Sequence, residues 1–132
     1  MSGRMALILA GFLGGSAVLL DAFGAHALRK AWAALSEGPQ RMEWWEVANR
    51  YHFIHALALA LVGMLISKSE NALFPLSLSA WCFVLGIAFF SGSLYAMALS
   101  GARAFGAITP IGGLLFAIGW FGMAWAGLQE KW

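Results

Sequence analysis

Charge is what this chain lacks most. Asp, Glu, Lys and Arg make up 11% of its 132 residues, against about 25% in an ordinary soluble domain. With 61% of residues hydrophobic, that shortfall excludes a soluble globular protein and makes the chain an integral membrane protein. The formal net charge is only +2 and there is no basic run, which excludes nucleic acid as a partner. Cys82 is alone, so no internal disulfide is possible. It sits in an apolar run, where a buried, inert thiol is the default. Catalytic signatures are missing too. There is no HExxH, no Glu-x-x-His pair on two helices, no nucleophile with a paired base, no phosphate loop and no dinucleotide fingerprint. No cofactor is implied, and the balance points away from an enzyme.

What is there is a series of apolar runs. The first covers about 5–28. At ~1.5 Å per residue it crosses ~30 Å of hydrocarbon with some tilt. Arg4, the run 5–20 and Ala25-His26-Ala27 imitate a secretory signal with a small-residue cleavage site. A run interrupted by Asp21 and rich in glycine fits a packed membrane helix better. The second run, about 51–67, is short for a span. It follows an amphipathic stretch, 40–50, in which Arg41, Glu43, Glu46, Asn49 and Arg50 alternate with Trp44, Trp45 and Val47. Such a stretch suits the headgroup layer and leads obliquely into the hydrocarbon. The third and fourth runs cover about 75–100 and 109–128.

Only three prolines occur. Pro39, Pro75 and Pro110 all fall where a helix is expected to start, with Thr109 as N-cap of the last. Trp32, Trp44, Trp45 and Trp132 suit interface belts, and the tail 129–132 reads as an interface anchor. The expected fold is all-α: one integral membrane domain over 1–132, a four-span transmembrane helical bundle with an amphipathic lead-in to helix two. Both termini then share a side. Arg29, Lys30, Arg41, Arg50 and Arg103 lie on the other side, against Arg4, Lys68 and Lys131. The positive-inside rule favours outward termini.

Small residues mark faces. Ala88, Gly92, Ala96 and Ser100 recur every fourth position in the third run. In the first, Ala10, Gly14, Ala17, Asp21, Gly24 and Leu28 share one face, and Gly11 and Gly15 form a GxxxG on its neighbour. Helices approach closely along such stripes. The expectation is that the stripes on helices one and three form the tightest packing, with Asp21 pointing into the bundle.

The polar residues of the runs are one-sided. Asp21, His26, His52, His55, Ser91, Ser93, Tyr95, Arg103 and Thr109 all belong to one half of the membrane. A carboxylate near mid-membrane costs at least ~2.5 kcal/mol, so Asp21 should be paired, neutral or facing water. Arg103, His55 and Tyr95 are its candidate partners. Two readings follow. One is an interhelical hydrogen-bond clasp, the commoner use of such residues. The other is a small polar cavity for a ligand or proton, built from Asp21, His55, Ser91, Tyr95, Arg103 and Thr109. His26, His52 and His55 are weak candidates for a metal or haem. Against that, His26 lies about 140° around its helix from Asp21, at about 100° per residue.

Gly24-Ala25-His26-Ala27-Leu28, His55-Ala56-Leu57-Ala58, Phe90-Ser91-Gly92-Ser93-Leu94-Tyr95 and Ile108-Thr109-Pro110-Ile111-Gly112-Gly113 resemble the bacterial small membrane proteins of the domain of unknown function 423 family, which are YgdD-like. The resemblance covers nearly the whole chain. It implies a four-span, multi-pass protein of the bacterial inner membrane and brings no reaction, substrate or partner. The leading functional expectation is a non-enzymatic structural or accessory component of the bilayer that associates with itself or with another membrane protein. The alternative is small-molecule or proton binding or transport through the one-sided polar cavity around Asp21.

Overall fold

The computed structural model describes residues 1–71 and 73–129. Among these it has helices and turns and no strand. Four helical stretches are long and apolar enough to cross a membrane. They are α1 (Gly3–Trp32), α2 (Gly38–Ile66), α3 (Leu73–Ser100) and α4 (Thr109–Gln129), the last led in by a 3-10 turn, Arg103–Ala107. The anchor expected at 129–132 lies outside the described residues beyond Gln129.

Local chemistry sets the ends. Ser2 caps α1, its hydroxyl accepting from the Met5 N–H. Pro39 falls in the first turn of α2, where a missing N–H costs nothing. With 29 residues, α2 is roughly 43 Å long. It outruns the hydrocarbon, and the charged stretch 40–50 is its first three turns, continuous with the span. At the other end of α3, Gly101 takes φ +74° and its N–H bonds the Met97 carbonyl at 2.8 Å. The Arg41 guanidinium of α2 donates to the Leu99 and Ala98 carbonyls at 3.3 and 3.5 Å. A cation thus closes the negative end of α3. Both α1 and α3 contain one π-helical turn, at Gly24–Leu28 and Ile87–Ser91.

The helices pack in chain order, α1 on α2, α2 on α3, α3 on α4. Half of the α2 span is buried and 44% of the α3 span, but only 17% of α1 and of the stretch containing α4. The central pair is therefore α2–α3, and α1 and α4 are flanks with wide lipid faces. The α1–α3 pairing that the stripes led us to expect is not among these contacts.

Missing side chains make those pairings. A Cβ on Gly63 of α2 would stand 3.1 Å from the Ala6 Cβ and the Gly3 carbonyl of α1. Across α3–α4 the fit is reciprocal. Phe116 fills the space over Gly86, and Phe83 fills the space over Gly119, each ring 2.5 Å from where a Cβ would be. Gly112 abuts the Phe90 backbone and Gly122 abuts Ser79. Of the stripe expected on α1, Ala10, Ala17, Gly24 and Leu28 are buried, but Gly14, the neighbouring Gly11 and Gly15, and the stripe on α3 behave differently. A Cβ on Gly11, Gly14 or Gly15 would meet nothing within 4 Å, and one on Gly92 only the Ile87 carbonyl of its own helix, at 3.9 Å. Ala88 and Ser100 are exposed and Ala96 is half-buried. The buried side of α3 lies one residue over, through Phe83, Ile87, Ser91, Leu94 and Ala98. A four-residue spacing says which residues share a face, but not which face turns inward.

Gly119→Ala should destabilise the protein by about 1–3 kcal/mol, the usual cost of overpacking, because the Phe83 ring cannot retreat past buried neighbours. Gly14→Ala should be neutral. Unfolding in mixed detergent micelles measures both, and equal stability of the two variants would contradict this account of α3–α4.

Candidate functional site

The polar half of the molecule is organised around α2. Asn49 is buried, and its amide donates to the Ala17 carbonyl of α1 at 2.7 Å and to the Tyr95 hydroxyl of α3 at 3.3 Å. One turn earlier on the same face, the Trp45 indole donates to the Leu20 carbonyl at 3.0 Å. Gly24 leaves the room for that indole. Tyr95 packs edge-on against Trp45, with ring centroids 4.6 Å apart, and its hydroxyl lies 3.4 Å from Nδ1 of His52. Asn49, Trp45, Tyr95 and His52 therefore tie three helices together.

A second tie crosses to α4. Nδ1 of His55 lies 2.8 Å from the Tyr51 carbonyl, and the Trp120 indole donates to Nε2 at 3.1 Å. An indole only donates and a carbonyl only accepts. The imidazole is therefore neutral, with its proton on Nδ1 and both nitrogens occupied. It stacks on Phe116 at 3.5 Å. Ser93 and Thr109 share a hydrogen bond of 2.7 Å between α3 and α4. Thr109 is thus the first residue of α4 with its hydroxyl spent on a neighbour, and not the expected N-cap.

The expected constellation is not brought together. Ser91 is fully buried, and its Oγ has no partner among the described residues. His52 is buried with Nε2 equally unpartnered. Arg103 is exposed in the 3-10 turn and His26 is exposed in the π turn of α1. Among the described residues no group of three His, Cys, Asp or Glu is placed to hold a metal ion.

Asp21 differs most from expectation. It is exposed, and among the described residues no hydrogen bond or ion pair joins it to Arg103, His55 or Tyr95. It lines an open groove of about 600 Å³ between α1 and α2, with Arg29, Glu46 and Arg50 at the same rim and Val18, Phe53 and Ile54 along the floor. The antiparallel register explains the tolerance of a carboxylate there. Asp21 follows Leu20, which bonds Trp45, so it stands level with the charged lead-in of α2 and not at mid-membrane. Arg29 pairs with Glu46 at 3.0 Å.

Reasoning from the sequence passed over Asn49, Trp45, Trp120 and the capping role of Arg41. One signal was available: Trp45 and Asn49 are four apart, hence on one face of an amphipathic helix. The partners of all four lie on other helices, which spacing does not reveal.

These features define a class: a multi-pass helical membrane protein whose polar residues chiefly bond its own helices. The chain belongs to the family described as protein of unknown function (DUF423), whose model matches residues 20–113. It is 42% identical over 113 residues to a UPF0382 membrane protein of Staphylococcus epidermidis, covering 86% of each chain. It is 36% identical over 125 residues to a UPF0382 membrane protein of Haemophilus influenzae, covering 95% of this chain and 94% of that one. It is also 36% identical over 120 residues to the UPF0382 inner membrane protein YgdD of Escherichia coli, covering 91% of this chain and 86% of that one. No solved structure matches the chain. Family and spans together make it a multi-pass protein of the bacterial inner membrane.

Tyr95→Phe removes the hydroxyl between Asn49 and His52, and Trp120→Phe removes the donor to His55. Each should cost roughly 0.6–1.7 kcal/mol, the range for interhelical hydrogen bonds in membranes. Arg103→Ala, at an exposed turn, should leave stability unchanged. Denaturation in mixed micelles separates these cases.

Proposed function

We propose that this protein is a non-catalytic component of the bilayer that works by lateral association, with a second copy of itself or with another membrane protein. The carrying observation is the outward face of its small-residue stripes. Gly11 and Gly15 on α1 and Ala88 and Gly92 on α3 are exposed. A Cβ at Gly11 or Gly15 would touch nothing within 4 Å. Lipid contact gives no reason for glycine at such positions, whereas close approach of another helix does. The flanking position of α1, with its span only 17% buried, leaves that face open.

The small-molecule or proton reading draws on less. Its support is the pair of buried, unpartnered atoms, Nε2 of His52 and Oγ of Ser91. Its other members are distant in role: Asp21 and Arg103 are exposed, and His55, Tyr95 and Thr109 are occupied in ties between helices.

Gly92→Leu and Gly11→Leu should fold as the parent does, because both side chains project outward. Cross-linking in native membranes should then show loss of the oligomer or partner species in at least one of them. An unchanged pattern in both would refute lateral association through these faces.

A further inference from the structure

The groove between α1 and α2 holds two charges that the fold leaves over. Four charged residues line it: Asp21, Arg29, Glu46 and Arg50. Arg29 and Glu46 neutralise each other. Asp21 and Arg50 have no ion-pair partner among the described residues. One carboxylate and one guanidinium thus stand free in one groove, at the edge of the hydrocarbon, where an unpaired charge is costly.

We propose that this groove binds one membrane phospholipid whose headgroup carries a phosphate and a primary ammonium. Depth order along the groove matches that molecule. The Ala17–Asn49 and Leu20–Trp45 bonds set the register of the two helices. Arg50 follows Asn49, and Asp21 follows Leu20. Arg50 therefore lies deeper than Asp21, by roughly 7 Å along the axis. Phe53 and Ile54 begin one turn deeper still, both with exposed side chains. From the membrane interior outward the groove reads apolar floor, guanidinium, carboxylate. A phospholipid of this class reads acyl chain, phosphate, ammonium.

The charges also select among headgroups. Arg50 can bind phosphate in bidentate fashion. The Asp21 carboxylate only accepts hydrogen bonds, so it favours an ammonium that donates them. A quaternary ammonium donates none and is recognised instead by several aromatic faces; among the described residues Phe53 is the one aromatic ring lining this groove. A headgroup with phosphate alone leaves Asp21 unpaired. The proposal is independent of lateral association, since it concerns a groove within one copy.

Native mass spectrometry of the detergent-solubilised protein tests it. The probes are phosphatidylethanolamine, phosphatidylcholine and phosphatidylglycerol with identical acyl chains. The ethanolamine lipid should be retained about tenfold better than either other lipid, the factor that one charge-assisted hydrogen bond supplies. Asp21→Asn should erase its advantage over phosphatidylglycerol, and Arg50→Gln should weaken all three. Glu43→Gln, on the same lead-in but outside the groove, should change nothing. Equal retention of the three lipids by the unmodified protein would overturn the proposal, whatever the variants do. So would unaltered selectivity in folded Asp21→Asn, or displacement by soluble phosphoethanolamine as effective as displacement by the lipid.

Discussion

Inside hydrocarbon an apolar side chain gains little by leaving lipid for protein, so helices there need another reason to stay together. In this chain the reason is close backbone approach through glycine, reinforced by a few hydrogen bonds that cross between helices. Gly63 lets α1 meet α2, and the exchange of Phe116 over Gly86 with Phe83 over Gly119 locks α3 to α4. Together with the packing of α2 on α3, those two pairings leave α2 and α3 in the middle and α1 and α4 at the flanks. The flanks then present faces that the chain itself does not cover.

The polar residues serve this frame before they serve any chemistry. A buried amide or indole in a membrane must find a partner, and the partners available are carbonyls and rings on neighbouring helices. Asn49, Trp45, Tyr95, His55 and Trp120 find such partners across all four helices, whereas Nε2 of His52 and Oγ of Ser91 have none among the described residues. Of the histidines that look like metal ligands in the sequence, His55 has committed both nitrogens in this way. Besides the unpartnered His52 and Ser91 atoms, what is left over is an open groove with two charges outside any ion pair, and two stripes of glycine and alanine that face outward.

Hydropathy is a property of composition along the chain, so the class, the four runs and the lead-in to α2 are legible in the residues alone. The prolines mark three helix starts to within two residues. Family resemblance rests on local motifs and is legible for the same reason. The order of the polar residues along each helix is legible too, since helix rise converts residue number into distance, although the level of Asp21 needed the register with α2.

Azimuth and partnership are not legible in this way. A repeat of four groups Ala88, Gly92 and Ala96 on one side of α3, yet only the positions of α2 and α4 decide that this side faces outward. Asp21 and Ala17 share a face within about 40° by the pitch of the helix, yet one is exposed and the other buried, because α1 is held from a single side. The sequence by itself determined that the chain is helical, membrane-spanning and polar in one half, since those depend on each residue's affinity for water or lipid. Only the tertiary structure decided which stripes pack, which histidine nitrogens are spent and where Asp21 points, because those depend on which helix stands beside which.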